Sequence, residues 1–377
     1  MSHSTASATA QRLESVRAPI EDASHLPPEC YTSEEFYRRE INFIFMRYWN
    51  FIGRADRLLK PGDYFTVELV GVPLIVVRDA KGEVRAFVNS CRHRGARMLS
   101  GKGTCNRTIT CPYHAWVYGT DGRLLAAHDM DGISGFRLED YSLRPVRLET
   151  WDGFIFVNFN DGADSLDDYL GELKQKMACY DLSNMVTVRR KEYSLACNWK
   201  LLTENAMEEY HTSTVHRGSI GAQTLAYENG TGQWESGYLS SEKSVATLPG
   251  ETAGFPRIAN LTGGAATGTY FVLVYPCTVF AFAQDSLMWL ELYPQGPSQT
   301  RLVVGAAFPR STVSRPDFES VVQKYYERWD KSVPEDNWIS EQQQLGLSSP
   351  LSDTGRVSRF EPVVHRLANW ILDRVQQ

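Results

Sequence analysis

Two short segments of this 377-residue chain concentrate side chains that bind metals. The first, "CRHRGARMLSGKGTCNRTITCPYH" at 91–114, holds Cys91 and His93 as a C-x-H pair and Cys111 and His114 as a C-x-x-H pair. Seventeen residues separate the two pairs. Two thiolates and two imidazoles can hold tetrahedral zinc, but zinc sites usually group Cys with Cys in a knuckle and His with His. Here each half brings one of each. That is the ligand set of a Rieske [2Fe–2S] centre, where two thiolates hold one iron and two neutral imidazoles the other. Cys105 belongs to neither pair.

The second segment, "ENAMEEYHTSTVH" at 204–216, places His211 and His216 behind Glu204, Glu208 and Glu209. Two His and one carboxylate on one face, with open positions opposite, bind the mononuclear non-haem Fe(II) that activates O2. The stretch "SVPEDNWISEQQQLGL" at 332–347 offers Glu335, Asp336 and Glu341 as the third ligand. Residue chemistry alone leaves these three open, since acids in a first helical turn are ordinarily solvated.

Elements must position these groups. Gly95, Gly101, Gly103, Pro112 and Gly119 punctuate the first segment as tight loops do. Short β-rich runs flank it: "DYFTVELVGVPLIVVRD", "VRAFVNS", "AWVYGTDGRL" with a turn at Asp121-Gly122, and "LRPVRLETWDGFIFVNFN" at 143–160. Two loops on a small antiparallel β-domain are therefore expected to clamp the cluster. Downstream, apolar spacing predicts a helix from Trp199 to Tyr210, with His211 near its end and His216 on the following turn. Pro334 is read as a helix start. Residues 267–310 alternate as strands, and 316–330 and 356–375 read as amphipathic helices.

Composition narrows the field. The net charge of −6 and the absence of basic runs argue against nucleic acid and anionic membranes as partners. No apolar stretch approaches the roughly 20 residues that span a bilayer. "MSHSTASATAQRLESV" lacks a secretory core and reads as a flexible arm. Seven scattered cysteines fit a reducing cytoplasm better than a disulfide framework. No G-x-G-x-x-G dinucleotide-binding fingerprint is present.

Taken together, C-x-H-x17-C-x2-H at 91–114, N-W-K at 198–200, E-N at 204–205, E-x-Y-H at 208–211, H-x4-H at 211–216 and E-D-N-W at 335–338 resemble the α-subunits of Rieske non-haem iron oxygenases (ring-hydroxylating oxygenases). The resemblance runs from about Tyr31 to the end. It implies an α+β chain with an arm and helix over 1–40, an antiparallel β Rieske domain over 41–160, and a helix-grip (START-like) catalytic domain over 161–377. It assigns Cys91, His93, Cys111 and His114 to the cluster and His211, His216 and Asp336 to iron. Glu208 matches the acid that links a cluster His to an iron His across subunits of a homotrimer; a Glu there resembles the carnitine and betaine branch and some dealkylases. Asn205 and Tyr210 match residues lining the iron site. The implied partners are O2, a small organic substrate, and a separate flavin and iron–sulfur reductase, with or without a ferredoxin.

The implied activity is hydroxylation or oxidative dealkylation of a small hydrophobic or aromatic compound, with a quaternary ammonium monooxygenase as the alternative. A Rieske electron carrier without catalysis is the remote one, disfavoured by the extra domain. Segments near 207–240 and Phe271, Leu273, Tyr275, Phe280, Phe282, Leu287 and Trp289 are expected around the substrate, as an apolar, aromatic-rich lining.

Overall fold

The β-rich runs quoted above, from Asp63 to Asn160, form antiparallel strands. A computed structural model describes residues 12–251 and 254–376, so the expected arm lies largely outside the described residues. The chain divides into two units, Phe45–Leu166 and the described part of Met1–Ile44 with Asp167–Gln377.

In Phe45–Leu166 the strands are β1 (Asn50–Arg54), β2 (Asp63–Leu69), β3 (Val72–Arg78), β4 (Val84–Val88), β5 (Lys102–Thr104), β6 (Thr108–Thr110), β7 (Val117–Gly119), β8 (Leu124–Ala126), β9 (Pro145–Trp151) and β10 (Phe154–Asn158). They make one sheet in the order β1-β10-β9-β4-β3-β2-β5 and a small one, β6-β7-β8. The Asp121-Gly122 turn joins β7 to β8; Gly122 has φ +85°, and a Cβ there would lie 2.4 Å from the Phe87 ring. Ile75, Val77 and Phe87 from the sheet share one core with Cys91, Cys111, Trp116 and Tyr118. The loops that carry the first ligand set are thus seated on the domain's own core.

The other unit holds β11 (Met185–Leu195), β12 (Ala226–Asn229), β13 (Trp234–Ser240), β14 (Gly268–Val274), β15 (Thr278–Phe282), β16 (Leu287–Gly296) and β17 (Gln299–Pro309). Their order is β11-β17-β16-β15-β14-β13-β12, antiparallel throughout. With helices packed on this sheet, the chain is α+β. A single helix, Phe318–Leu347, runs 30 residues with Pro334 inside it. Neither a break after 330 nor a start at Pro334 is present. Proline removes one N–H and costs about 3 kcal/mol in a helix interior. Val322, Tyr325, Trp329 and Val333 are buried at helical spacing against that penalty, three of them in a cluster with Phe255 and Phe308. At about 1.5–3 kcal/mol for each such side chain, burial outweighs the proline.

The upstream helix is shorter than its pattern suggested, Trp199–Ala206. Asn198 caps it by accepting the Lys200 N–H at 3.0 Å. The segment before Ile44 clamps this helix. Lys200 Nζ meets Glu40 Oε1 at 2.5 Å, with both side chains fully buried, and Trp199 Nε1 donates to Glu40 Oε2 at 3.1 Å. Tyr31 donates to Glu204 Oε1 at 2.9 Å. Removing one member of such a buried pair costs about 3–5 kcal/mol. Among the described residues no helix is long and apolar enough to cross a membrane.

Candidate metal centres and active-site cavity

Cys91 and Cys111 start two loops closed in the same way. Cys91 N donates to Ala96 O (2.9 Å) and Gly95 N to Cys91 O (2.9 Å); Cys111 N donates to Trp116 O (2.8 Å) and Ala115 N to Cys111 O (3.1 Å). The fifth residue of each loop is left-handed, Gly95 at φ 75° and Ala115 at φ 55°. Both thiols are buried, while His93 is exposed and His114 half-buried. The two imidazole rings lie 4.6 Å apart, and His93 stacks on Trp116 at 4.9 Å. Tyr118 Oη sits 3.3 Å from Cys91 Sγ and accepts the Arg92 N–H at 3.0 Å. Burial pushes the Cys91 thiol up, so a metal must displace its proton to bind. Desolvation, with His93 and Arg94 nearby, lowers the His114 pKa towards the neutral, ligating form.

Among the described residues, one set of three or more His, Cys, Asp or Glu brings its ligand atoms within 4.8 Å of one another: His211, His216 and Asp336. The two Cys and two His of the loops do not, although ligands of a single zinc would have to, at about 2.0–2.3 Å from the ion. Thiols inside and imidazoles outside fit two irons instead. Cys105 donates to Gly62 O at 3.2 Å, apart from the pair.

At the second site the chain leaves its helix at Met207 and turns, and Thr212–Val215 forms one short helical turn with His211 before it and His216 after it. His211 therefore does not sit on the preceding helix. His216 Nε2 and His211 Nε2 lie 2.9 and 3.4 Å from Asp336 Oδ1. That oxygen is buried yet makes no hydrogen bond, which is how an atom reserved for a cation looks. The site thus fits a mononuclear metal held by two Nε2 atoms and one carboxylate.

The other ring nitrogens are also engaged. His211 Nδ1 is bonded to Glu208 Oε1, and Glu208 Oε2 accepts the His211 N–H at 3.1 Å. His216 Nδ1 lies 2.7 Å from Glu335 Oε2, which also accepts from Ser219 Oγ at 2.5 Å. Glu335 therefore faces the outer side of the imidazole that Asp336 approaches from within. Glu341 is elsewhere, accepting the Ala196 N–H at 2.8 Å. Burial lowers the His211 pKa, but Asp336 and Glu208 more than offset it and raise it to about 9. Burial opposes Asp336's ionisation, yet the two imidazoles hold its pKa below the usual value.

These groups open on a cavity of about 110 Å³. Asn205 and Glu208 line it. Tyr210 does not; the turn that points Glu208 and His211 inward leaves Tyr210 58% exposed, its ring 5.9 Å from Phe360. Of the seven sheet residues expected there, Phe271 alone lines the cavity. Val279, Ala281, Met288 and Leu290 supply the wall instead of Phe280, Phe282, Leu287 and Trp289. Both faces of β15 and β16 are covered, so alternation could not tell the cavity face from the packed one. The wall is aliphatic rather than aromatic.

Sequence reasoning missed Arg328, which lines the cavity with Ser332 and Asp336 at four-residue spacing. Reading 316–347 as one helix would have exposed that stripe.

Comparison with known proteins follows the same division. The family model for the Rieske [2Fe-2S] domain matches residues 48–139, and that for the ring hydroxylating alpha subunit (catalytic domain) matches 182–377. The chain is 30% identical over 334 residues to the carnitine monooxygenase oxygenase subunit of Acinetobacter pittii, covering 86% of this chain and 85% of that one. It is 26% identical over 384 residues to the glycine betaine monooxygenase oxygenase subunit of Pseudomonas aeruginosa, covering 93% and 89%. Among solved structures it resembles the quaternary ammonium Rieske monooxygenase CntA in complex with L-carnitine, with TM-score 0.77, 26% identity and 94% and 95% coverage.

Proposed function

This chain belongs to the ring-hydroxylating oxygenase α-subunit family, and from that premise we propose that it is the oxygenase component of a quaternary ammonium monooxygenase. It is a Rieske-type oxygenase with a [2Fe–2S] cluster and a mononuclear iron. When bound, the cluster supplies single electrons and the iron supplies reductive O2 activation. We assign Cys91, His93, Cys111 and His114 to the former and His211, His216 and Asp336 to the latter.

The remaining groups hold and shield. Glu208 and Glu335 accept the Nδ1 protons of His211 and His216, which fixes each ring with Nε2 inward. Glu208 is also the candidate link to the cluster of a neighbouring subunit in a homotrimer. The aliphatic wall keeps water away from the reacting C–H. In the overall reaction one oxygen atom enters that C–H bond and the other leaves as water. The two electrons come from NAD(P)H through a separate reductase, with or without a ferredoxin. The seven free cysteines fit a reducing cytoplasm.

The observation that carries this reading is end-to-end similarity to carnitine and glycine betaine monooxygenase subunits. The expected hydrophobic or aromatic substrate is less well supported, because Phe271 is the one aromatic residue among those described at the cavity. The test is coupled NADH and O2 consumption with a Rieske oxygenase reductase, comparing carnitine, glycine betaine and choline with arenes, aromatic ethers and N-alkyl amides. Turnover confined to the ammonium compounds is expected. Turnover confined to the others would overturn the substrate class and leave the enzyme class standing.

A further inference from the structure

Among the buried cations described in this unit, Arg328 alone makes no hydrogen bond or ion pair. Arg328 is 6% exposed, its Nε is buried without a hydrogen bond, and its guanidinium makes no hydrogen bond or ion pair with any described residue. Elsewhere the chain pairs its sequestered cations: Lys200 with Glu40, Arg190 with Glu291, and Arg366 with Glu235. A buried charge left alone is strongly unfavourable, so an isolated one in a cavity wall marks a place kept for a ligand. Burial pulls the Arg328 pKa down to about 10, and Asp336 is the charge that opposes this.

We propose that Arg328 anchors a carboxylate of the substrate, making this a site for molecules with an anionic end rather than for simple cations or alcohols. A guanidinium is a planar fork of donors that matches a carboxylate bidentately. Arg328 stands two turns before Asp336 on one helix face, about 12 Å of helical rise. The anionic end is thereby held away from the two histidines by the length of a short chain. Val279, Ala281 and Leu290 line the cavity, and Glu208 faces it beside His211. A guanidinium and a carboxylate, Arg328 and Glu208, both line the cavity, which thereby complements a zwitterion. Only the cationic half of that zwitterion rests on the quaternary ammonium reading; the carboxylate half rests on Arg328 itself.

The experiment is anaerobic calorimetry on the metal-loaded enzyme with three ligand series of increasing chain length: trimethylammonium carboxylates, the matching trimethylammonium alcohols, and carboxylates bearing a neutral tert-butyl head. Wild-type protein is expected to bind one trimethylammonium carboxylate at least about 30-fold more tightly than its alcohol, and Arg328→Gln to erase that preference. Arg328→Lys should restore part of it, with the Rieske spectrum and melting temperature of each variant unchanged. Equal binding of acids and alcohols by the wild type, or equal weakening of both by Arg328→Gln, would overturn the proposal and spare the ammonium reading. Arg328-dependent binding of the tert-butyl carboxylates without binding of any ammonium compound would uphold Arg328 and remove that reading. Should both variants lose the Rieske spectrum, the wild-type ratio of acid to alcohol decides alone.

Discussion

The two metal-binding regions are built by opposite strategies. The proposed cluster ligands come from 24 consecutive residues, with buried thiols and imidazoles turned to the surface. The proposed iron ligands come from the two ends of one short helical turn and from a helix more than a hundred residues later, and both imidazoles face a cavity. A group that exchanges electrons is served by an exposed edge. A group that meets O2 and substrate is served by enclosure. Local sequence can specify the first; the second needs the whole domain to fold.

That contrast is most severely tested by removing one ligand on each side. Asp336→Ala should abolish turnover and lower iron content while leaving the Rieske EPR signal intact. Cys111→Ser should abolish turnover and the signal while His211, His216 and Asp336 still bind a metal. Loss of both metals in either variant would mean the regions are not independent.

The carboxylates behind the imidazoles sharpen it further. Glu335→Gln should weaken iron retention or activity by about 10–100-fold, the usual cost of losing such a partner. If Glu208 also links to a neighbour's cluster, Glu208→Gln should cost clearly more in turnover than Glu335→Gln at equal iron content. Single-turnover oxidation of the reduced cluster separates the two; identical rates would reduce Glu208 to an orienting group.

A smaller effect belongs to the enclosed region. Burial, against the influence of His25, Tyr31 and Lys200, raises the Glu204 pKa from 4.5 to about 7. The folded state then holds this proton more tightly than the unfolded chain, so stability falls as pH rises from about 4.5 through about 7, by about 1–3 kcal/mol. Glu204→Gln should flatten that slope in denaturant melts; an unchanged slope would place its origin elsewhere.

The smallest concerns the cluster loops. Ala115→Gly should relieve a left-handed residue and Gly95→Ala create one, each shifting stability by about 1 kcal/mol or less, in opposite directions. Melting of the Rieske signal reads this, and shifts of the same sign would break the equivalence of the loops.

How much of this was legible in the sequence follows from the same contrast. The four proposed loop ligands form a readable pattern because each pair sits in a loop closed over five residues. Residue chemistry alone could not tell Glu335 from Asp336, although the resemblance chose Asp336, since both end at His216, one at each ring nitrogen. Pro334 read as a boundary because intrinsic preference says so, while tertiary burial of its neighbours kept the helix continuous. That misreading concealed Arg328, and the doubly covered strands concealed which face borders the cavity.

The matched closure of the Cys91 and Cys111 loops has a consequence for which of their side chains can vary. Their shape is supported by main-chain hydrogen bonds within each loop. The intervening side chains, Arg92, Arg94 and Tyr113 among them, are then free to be shaped by whatever docks there without compromising the mould.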